Sequence, residues 1–298
     1  MDHLWFLRAF MVAIALVMLG LGLSLRLADF ARAFTQRRAV LITLSLQLLV
    51  LPALSWLLIL TLHLGPLLAV GLVILVVSPG GITANVYTHL FAGNVALSIC
   101  LTAISTVMLV LALPLYANYT IAAFAVSDKV VPIEFGQMIG VLAIVLVPVA
   151  VGMWSRKRWP SLSTRLDKPV KVFGVCVLAT LIVTALVREW DVLAKSFNEI
   201  GVAVLVFGIF ATISGYCIAR LVGIPRDDSI AISMQLGVRN TTIPLFVAIN
   251  VLANFSLALP AAVYAILMHG IAILFGRVMA VKQSRDRPSV RHDPDVSS

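Results

Sequence analysis

Long apolar runs separated by short polar, mostly basic stretches dominate the chain. A bilayer is crossed by about 20 consecutive apolar residues in a helix. The runs predict nine spans, at roughly 4–25, 38–60, 66–90, 94–116, 136–155, 170–188, 199–222, 228–250 and 257–280. Leu27 to Ala39 is short, basic and amphipathic, the pattern of a segment lying at the interface. The stretch after Val281 is polar, with two prolines and mixed charge, and predicts a disordered tail. The expected fold class is an all-α polytopic membrane protein of about nine transmembrane helices. It forms one transmembrane domain over 1–281, with a polar tail over 282–298.

Two of these runs are interrupted. Ser78 to Thr102 reads SPGGITANVYTHLFAGNVALSICLT and carries a proline, three glycines and two asparagines within an apolar context. Pro79 removes a backbone donor and clashes with the preceding turn, and Gly80 and Gly81 weaken the helix further. A break at that depth frees N–H and C=O groups. In hydrocarbon each costs several kcal/mol if left unpaired (roughly,), so the break predicts a bound polar species. Gln235 to Pro244, QLGVRNTTIP, is the matching interruption in the second half. One broken span in each half points to the binding site of a secondary transporter and hints at an inverted repeat.

Composition narrows the classes. The chain of 298 residues is 61% hydrophobic and 12% charged, against about 25% charged in soluble domains. Mean hydropathy is +1.07. The net charge of +9 does not signal nucleic acid, because the cations sit in loops between apolar spans. Cys100, Cys176 and Cys217 show no metal spacing and read as buried, inert thiols. No basic leader with a cleavage site precedes the first run, which is read as a span.

The basic residues also set an orientation. Arg26, Arg32, Arg37 and Arg38, then Arg156, Lys157, Arg158, Arg165, Lys168 and Lys171, then Arg220 and Arg226, and the tail cations Arg277, Lys282, Arg285, Arg287 and Arg291 fall on one side. Arg8, Lys129, Arg188 and Lys195 fall on the other. The positive-inside rule puts the N-terminus outside and the C-terminus in the cytoplasm. The expected location is a cell membrane, read as a bacterial inner membrane.

Few residues within the spans can do chemistry. Gln47 precedes Pro52; Thr83 and Asn85 follow the first break; Ser98 and Thr102 share a helix face. Gln235, Arg239 and Asn240 lie at the second break, and His269 in mid-span. Ser98, Thr102 and Gln47 also suit plain hydrogen bonding within or between helices, and His269 suits a satisfied interior histidine. Arg239 is harder to assign to structure alone. A charge at the bilayer centre costs at least ~2.5–3.5 kcal/mol, and no acid lies near it in sequence.

At these residues the chain resembles the bile acid:sodium symporter family. The resemblance spans nearly the whole chain and is most specific over SPGGITANVYTHLFAGNVALSICLT, with MLGLGLSLRLADF and Gln47 with Pro52 as further matches. It is similar to a nine-span variant without the usual first span. The resemblance implies a core with two crossing broken helices (spans about 38–116 and 199–280) and a panel (about 4–25 and 136–188). It implies a first sodium site at Asn85, Ser98 and Thr102 and a second with Gln47. Substrate contacts would come from Thr83, Asn240, Arg239 and His269. Gln235 stands where the family's ion-bridging acid lies, Arg239 where its Gln lies, and Ala84 where a hydroxyl precedes the Asn.

These departures replace a carboxylate and two Na⁺ by a neutral amide and a fixed cation, with the same local charge. Arg239 is therefore expected to stand in for the second sodium, binding the freed carbonyls and Gln47 Oε1. The expected function is alternating-access transport of a small organic anion. Coupling to one Na⁺, to protons through His269, or to no ion all remain open, as does a sensor that binds without transporting. No enzyme motif or P-loop occurs. No cofactor is expected beyond Na⁺ as a coupled ion. The partners are the anion and the bilayer.

Overall fold

The computed structural model describes residues 3–26, 28–29, 35–124, 135–188 and 190–286. Apolar residues at helical spacing form α1 (His3–Ser24), α2 (Arg37–Thr61), α3 (Pro66–Val77), α4 (Ile82–Leu90) and α5 (Val95–Ala123). There follow α6 (Phe135–Arg158), α7 (Pro160–Arg188), α8 (Trp190–Leu221), α9 (Arg226–Gly237), α10 (Thr242–Val251) and α11 (Leu259–Asp286). No strand occurs among the described residues. The last helix continues past Val281, to Asp286. Part of the expected interfacial stretch (27 and 30–34, with Arg32), Lys129 and residues 287–298 lie outside the described residues.

Three helices are long and apolar enough to cross a bilayer unaided: Arg37–Thr61, Ile200–Leu221 and Phe255–Met279. A fourth would be Val95–Met108 with Ala112–Ala123, which bend by 53°. Pro114, inside that helix, cannot donate to the carbonyl four residues back and accounts for the bend. The runs expected at 66–90 and 228–250 are each two short helices. A helix of 12 residues such as α3 is only ~18 Å long, so neither half crosses alone.

Polar and apolar positions are sorted as lipid requires. Leu41, Leu57 and Leu60 of α2, Leu205 and Ile209 of α8, and Ile266 and Leu274 of α11 are exposed, whereas Gln47, Ser98, Thr102 and Gln235 are fully buried. Cys100 is buried, but Cys176 and Cys217 are exposed on the apolar helices α7 and α8. They face outward as small hydrophobes, which corrects the expectation of three buried thiols.

α1 packs against α6 and α7. The approach is close: a Cβ on Gly22 would strike the backbone of Val149, and one on Gly152 the backbone of Leu19. α3 packs on α2, α5 and α11; α8 packs on α9 and α11; α9 meets α4 and α5. The α1 group touches the rest through α10 and, more slightly, through the contact of α7 with α8.

Local chemistry fixes the remaining elements. Pro52 leaves the Leu48 carbonyl without its helical donor; a π-turn spans Leu46–Val50 and the Tyr116 hydroxyl donates to that carbonyl. The Asn94 side chain caps α5 by accepting from the Leu97 N–H (3.0 Å). Its Nδ2 donates to Asp228 Oδ1 (2.7 Å), tying the start of α5 to that of α9.

Candidate functional site

The two breaks meet. Ser78 and Gly81 are extended, with ψ of 148° and 172°. The backbone then pairs antiparallel with the second break: Gly81 N–H donates to the Val238 carbonyl (3.0 Å) and Asn240 N–H to the Pro79 carbonyl (2.8 Å). Gly80 permits this approach, because a Cβ there would collide with the Gln235 carboxamide. Further freed carbonyls take side-chain donors. Arg239 Nη1 donates to the Ser78 carbonyl (2.7 Å), and Tyr264 OH to that of Gly237 (2.5 Å). Gln47 Nε2 approaches the carbonyls of Ser78 (3.4 Å) and Val77 (3.5 Å). The protein itself supplies these partners, and Arg239 takes a freed carbonyl as expected.

Arg239 is buried to 1% exposure. Its guanidinium lies 5.7 Å from the centre of the Phe207 ring, within cation–π range. Nε and Nη2 have no hydrogen-bond partner. The expected bond to Gln47 Oε1 is absent. That oxygen accepts from Ser105 Oγ (3.0 Å), one helical turn beyond Thr102, and Gln47 turns its amide nitrogen to the carbonyls instead.

A second group of side chains gathers beside the crossing. Asn85 Oδ1 accepts from Ser98 Oγ (2.6 Å) and faces Thr102 Oγ1 (3.4 Å). Thr102 Oγ1 also lies 3.0 Å from the Ser98 carbonyl and 3.2 Å from Gln235 Oε1. Thr88 Oγ1 lies 3.2 Å from Ser98 Oγ. Asn85, half-buried, with the buried Ser98, Thr102 and Gln235 thus forms one oxygen cluster drawn from α4, α5 and α9. Gln47 belongs to the separate group around Ser78. The four side-chain oxygens are uncharged, hard donors of the kind Na⁺ takes. Gln235 Nε2 has no hydrogen-bond partner. Among the described residues, no group of three or more His, Cys, Asp or Glu could hold a metal ion.

Above the crossing lies a cavity of about 300 Å³, lined by Thr83, Arg239, Asn240 and His269 together with Met18 of α1 and Met268 of α11. All four sequence-expected substrate residues are therefore brought to one space. Asn240 Oδ1 accepts from the Thr242 N–H (3.0 Å) and so shapes the start of α10. His269 Nδ1 is 3.0 Å from Tyr87 OH.

Sequence reasoning missed Ser105, Thr88, Tyr87, Phe207 and Tyr264. Thr88 and Ser105 carried a signal, each three residues from an expected ligand and so on the same helix face. The other three are apolar or aromatic positions that only packing distinguishes.

The sequence pattern of the Sodium Bile acid symporter family matches residues 11–196, more than half of the chain. A probable chloroplastic sodium/metabolite cotransporter from Oryza sativa subsp. japonica is 27% identical over 260 residues, covering 87% of this chain and 61% of the relative. An uncharacterized sodium-dependent transporter from Bacillus subtilis is 27% identical over 267 residues, with coverages of 88% and 80%. A sodium-dependent organic anion transporter from Mus musculus is 27% identical over 295 residues, with coverages of 95% and 76%. The chain thus spans about three fifths of the length of the rice relative. With two broken helices bridged at their breaks and this match, the chain belongs to the sodium bile acid symporter family, whose members are transporters and not enzymes.

Proposed function

We propose that this protein is a secondary transporter of a small organic anion, working by alternating access across a cell membrane. The observation that carries this reading is the antiparallel pairing of the two breaks beneath a cavity lined by Thr83, Arg239, Asn240 and His269. Half-helix ends beside a cavity that carries a few polar groups suit an amphipathic ionic substrate, and the Arg239 charge favours an anion. The core comprises α2–α5 and α8–α11, two three-span units whose middle span is broken, in inverted orientation. The panel comprises α1, α6 and α7, and it moves against the core at α10. With nine spans the termini lie on opposite faces, and the basic loops favour an outside N-terminus and a cytoplasmic C-terminus. The cytoplasmic face is supported by the meeting of Arg26 with Arg156 and Lys157 around one cavity, and of Arg37 and Arg38 with Gly223, Ile224, Pro225 and Asp228 around another.

At most one Na⁺ is coupled. Asn85, Ser98, Thr102 and Gln235 would hold it, and Arg239 does permanently what a second ion would do for the Ser78 carbonyl. The test is the melting temperature of the purified protein with a panel of organic anions, each in NaCl and in choline chloride. A ligand bound to the native state raises stability by mass action. Stabilisation by an anion only in NaCl supports one coupled sodium. Equal stabilisation in both salts removes sodium from the mechanism and leaves an anion carrier. Binding without flux into liposomes makes the protein a sensor and overturns the transport reading.

A further inference from the structure

A second cavity, of about 480 Å³, opens where the end of α1 meets the corner between α6 and α7. Three cations line it: Arg26 just beyond α1, and Arg156 and Lys157 in the last turn of α6. Leu25, Met153 and Pro160 form its apolar wall. No carboxylate is among these residues. Two acids lie beside it without lining it: Asp29 Oδ2 accepts from the Arg26 backbone N–H (2.8 Å) and Asp167 Oδ1 from Ser24 Oγ (3.0 Å). Arg156 Nη1 has a long bond to Thr164 Oγ1 (3.4 Å), weak enough to exchange for a better acceptor.

One of these cations would suffice to oppose the negative C-terminal end of α6. Three converging on a cavity with an apolar wall match a different object, an anionic phosphate joined to hydrocarbon. The depth also fits. Trp154 and Trp159 flank the corner, exposed and packed edge to face at 5.1 Å, with the Arg158 guanidinium 5.9 Å from the Trp159 ring. Exposed tryptophans next to arginine are the signature of the headgroup layer. We propose that this corner is a binding site for the headgroup of an anionic phospholipid, with the phosphate held by Arg26, Arg156 and Lys157 and the acyl chain leaving along Leu25 and Met153. The inference rests on the membrane reading above but not on transport. A lipid seated there bridges α1 to α6 and α7, the helices of the proposed panel, and sits on the cytoplasmic side, where basic clusters meet anionic lipid.

The test uses the full chain purified in a non-ionic detergent. Its melting temperature is measured with added phosphatidylglycerol, with phosphatidylcholine and with sn-glycerol 3-phosphate. Phosphatidylglycerol is expected to raise it by several degrees, with little effect from the other two. The triple substitution Arg26→Gln, Arg156→Gln, Lys157→Gln should abolish most of that rise. Arg26→Lys, Arg156→Lys, Lys157→Arg should keep it. If the glutamine triple is not recovered folded, Arg26→Gln alone should at least halve the rise. An equal rise with phosphatidylcholine, or an undiminished rise in these glutamine variants, overturns the site. An equal rise with glycerol phosphate makes the ligand a soluble phosphate and overturns the lipid assignment. Failure of anion flux would leave these results standing, and failure here would leave the transport reading intact.

Discussion

At the scale of single residues, Arg239 concentrates the argument. Its guanidinium is buried with one hydrogen bond, to the Ser78 carbonyl, and two unpartnered nitrogens. Desolvating a cation costs several kcal/mol (roughly,), while one charge-assisted hydrogen bond returns only about 1.5–3 kcal/mol. The balance is against stability, which is a mark of function. Arg239→Met, similar in length but uncharged, is therefore expected to melt no lower than the parent. It should lose stabilisation by the transported anion tenfold or more in concentration, the equivalent of about 1.4 kcal/mol. A variant that melts lower and still binds the anion would show that Arg239 is structural. The paired change Gln235→Glu with Arg239→Gln restores a carboxylate to the oxygen cluster and removes the fixed cation. It should create or deepen sodium dependence of anion binding, and unchanged behaviour in NaCl and choline chloride would refute the substitution of an ion by Arg239. His269, held by Tyr87 at 3.0 Å, tests the proton-linked alternative. If it carries the proton, flux rises or falls between about pH 5 and 8 in the parent and is flat in His269→Gln.

At the scale of elements, the breaks depend on close approach. Gly80 leaves room for Gln235, so Gly80→Ala forces a Cβ into the carboxamide. Overpacking of this kind costs about 1–3 kcal/mol. The cost should fall in a Gln235→Ala background, giving a double-mutant coupling in the melting temperatures that a merely propensity-based effect would lack. The same logic explains why the two half-helix pairs form despite weak sequence support. Each break supplies the donors and acceptors that the other lacks, through Gly81 to Val238 and Asn240 to Pro79. A local interruption that looks costly alone is satisfied by a counterpart in the other half of the chain.

At the scale of the whole molecule, charge decides orientation. Arg26, Arg156 and Lys157 share one cavity, Arg37 and Arg38 share another with Gly223 and Pro225, and Arg226 Nη2 reaches the Met279 carbonyl (2.9 Å), so these basic segments are linked in a chain. The prediction is checked on a variant lacking Cys100, Cys176 and Cys217, with a single cysteine placed at position 2 or 297. In intact cells an impermeant thiol reagent should label the first and spare the second. Labelling at 297 alone would invert the topology and remove the cytoplasmic setting of the basic corner.

How much was legible in the sequence follows from what is local. Apolar runs of helical length, the Pro79–Gly80–Gly81 interruption and its partner at Gln235 to Pro244 are local features, and their physical consequences are too: a helix forms where backbone bonds close within the segment, and stops where proline removes a donor. The residue types that can bind an ion or an anion are equally visible, because so few polar groups enter the spans. Their grouping was not. The sequence placed Gln47 Oε1 against Arg239, but Ser105 takes that oxygen. It expected Arg239 on the freed carbonyls, and Arg239 does bond Ser78 across 161 positions, but it did not pair Thr102 with Gln235, which meet across 133. Contacts of that separation depend on the depth and rotation of packed helices, which no local pattern encodes. By itself the sequence determined which segments are helices, where two of them break and which side chains have chemistry to offer. Tertiary packing alone decided which oxygens share a site, that one break satisfies the other, and that the Arg239 cation lies over Phe207 beside the cavity.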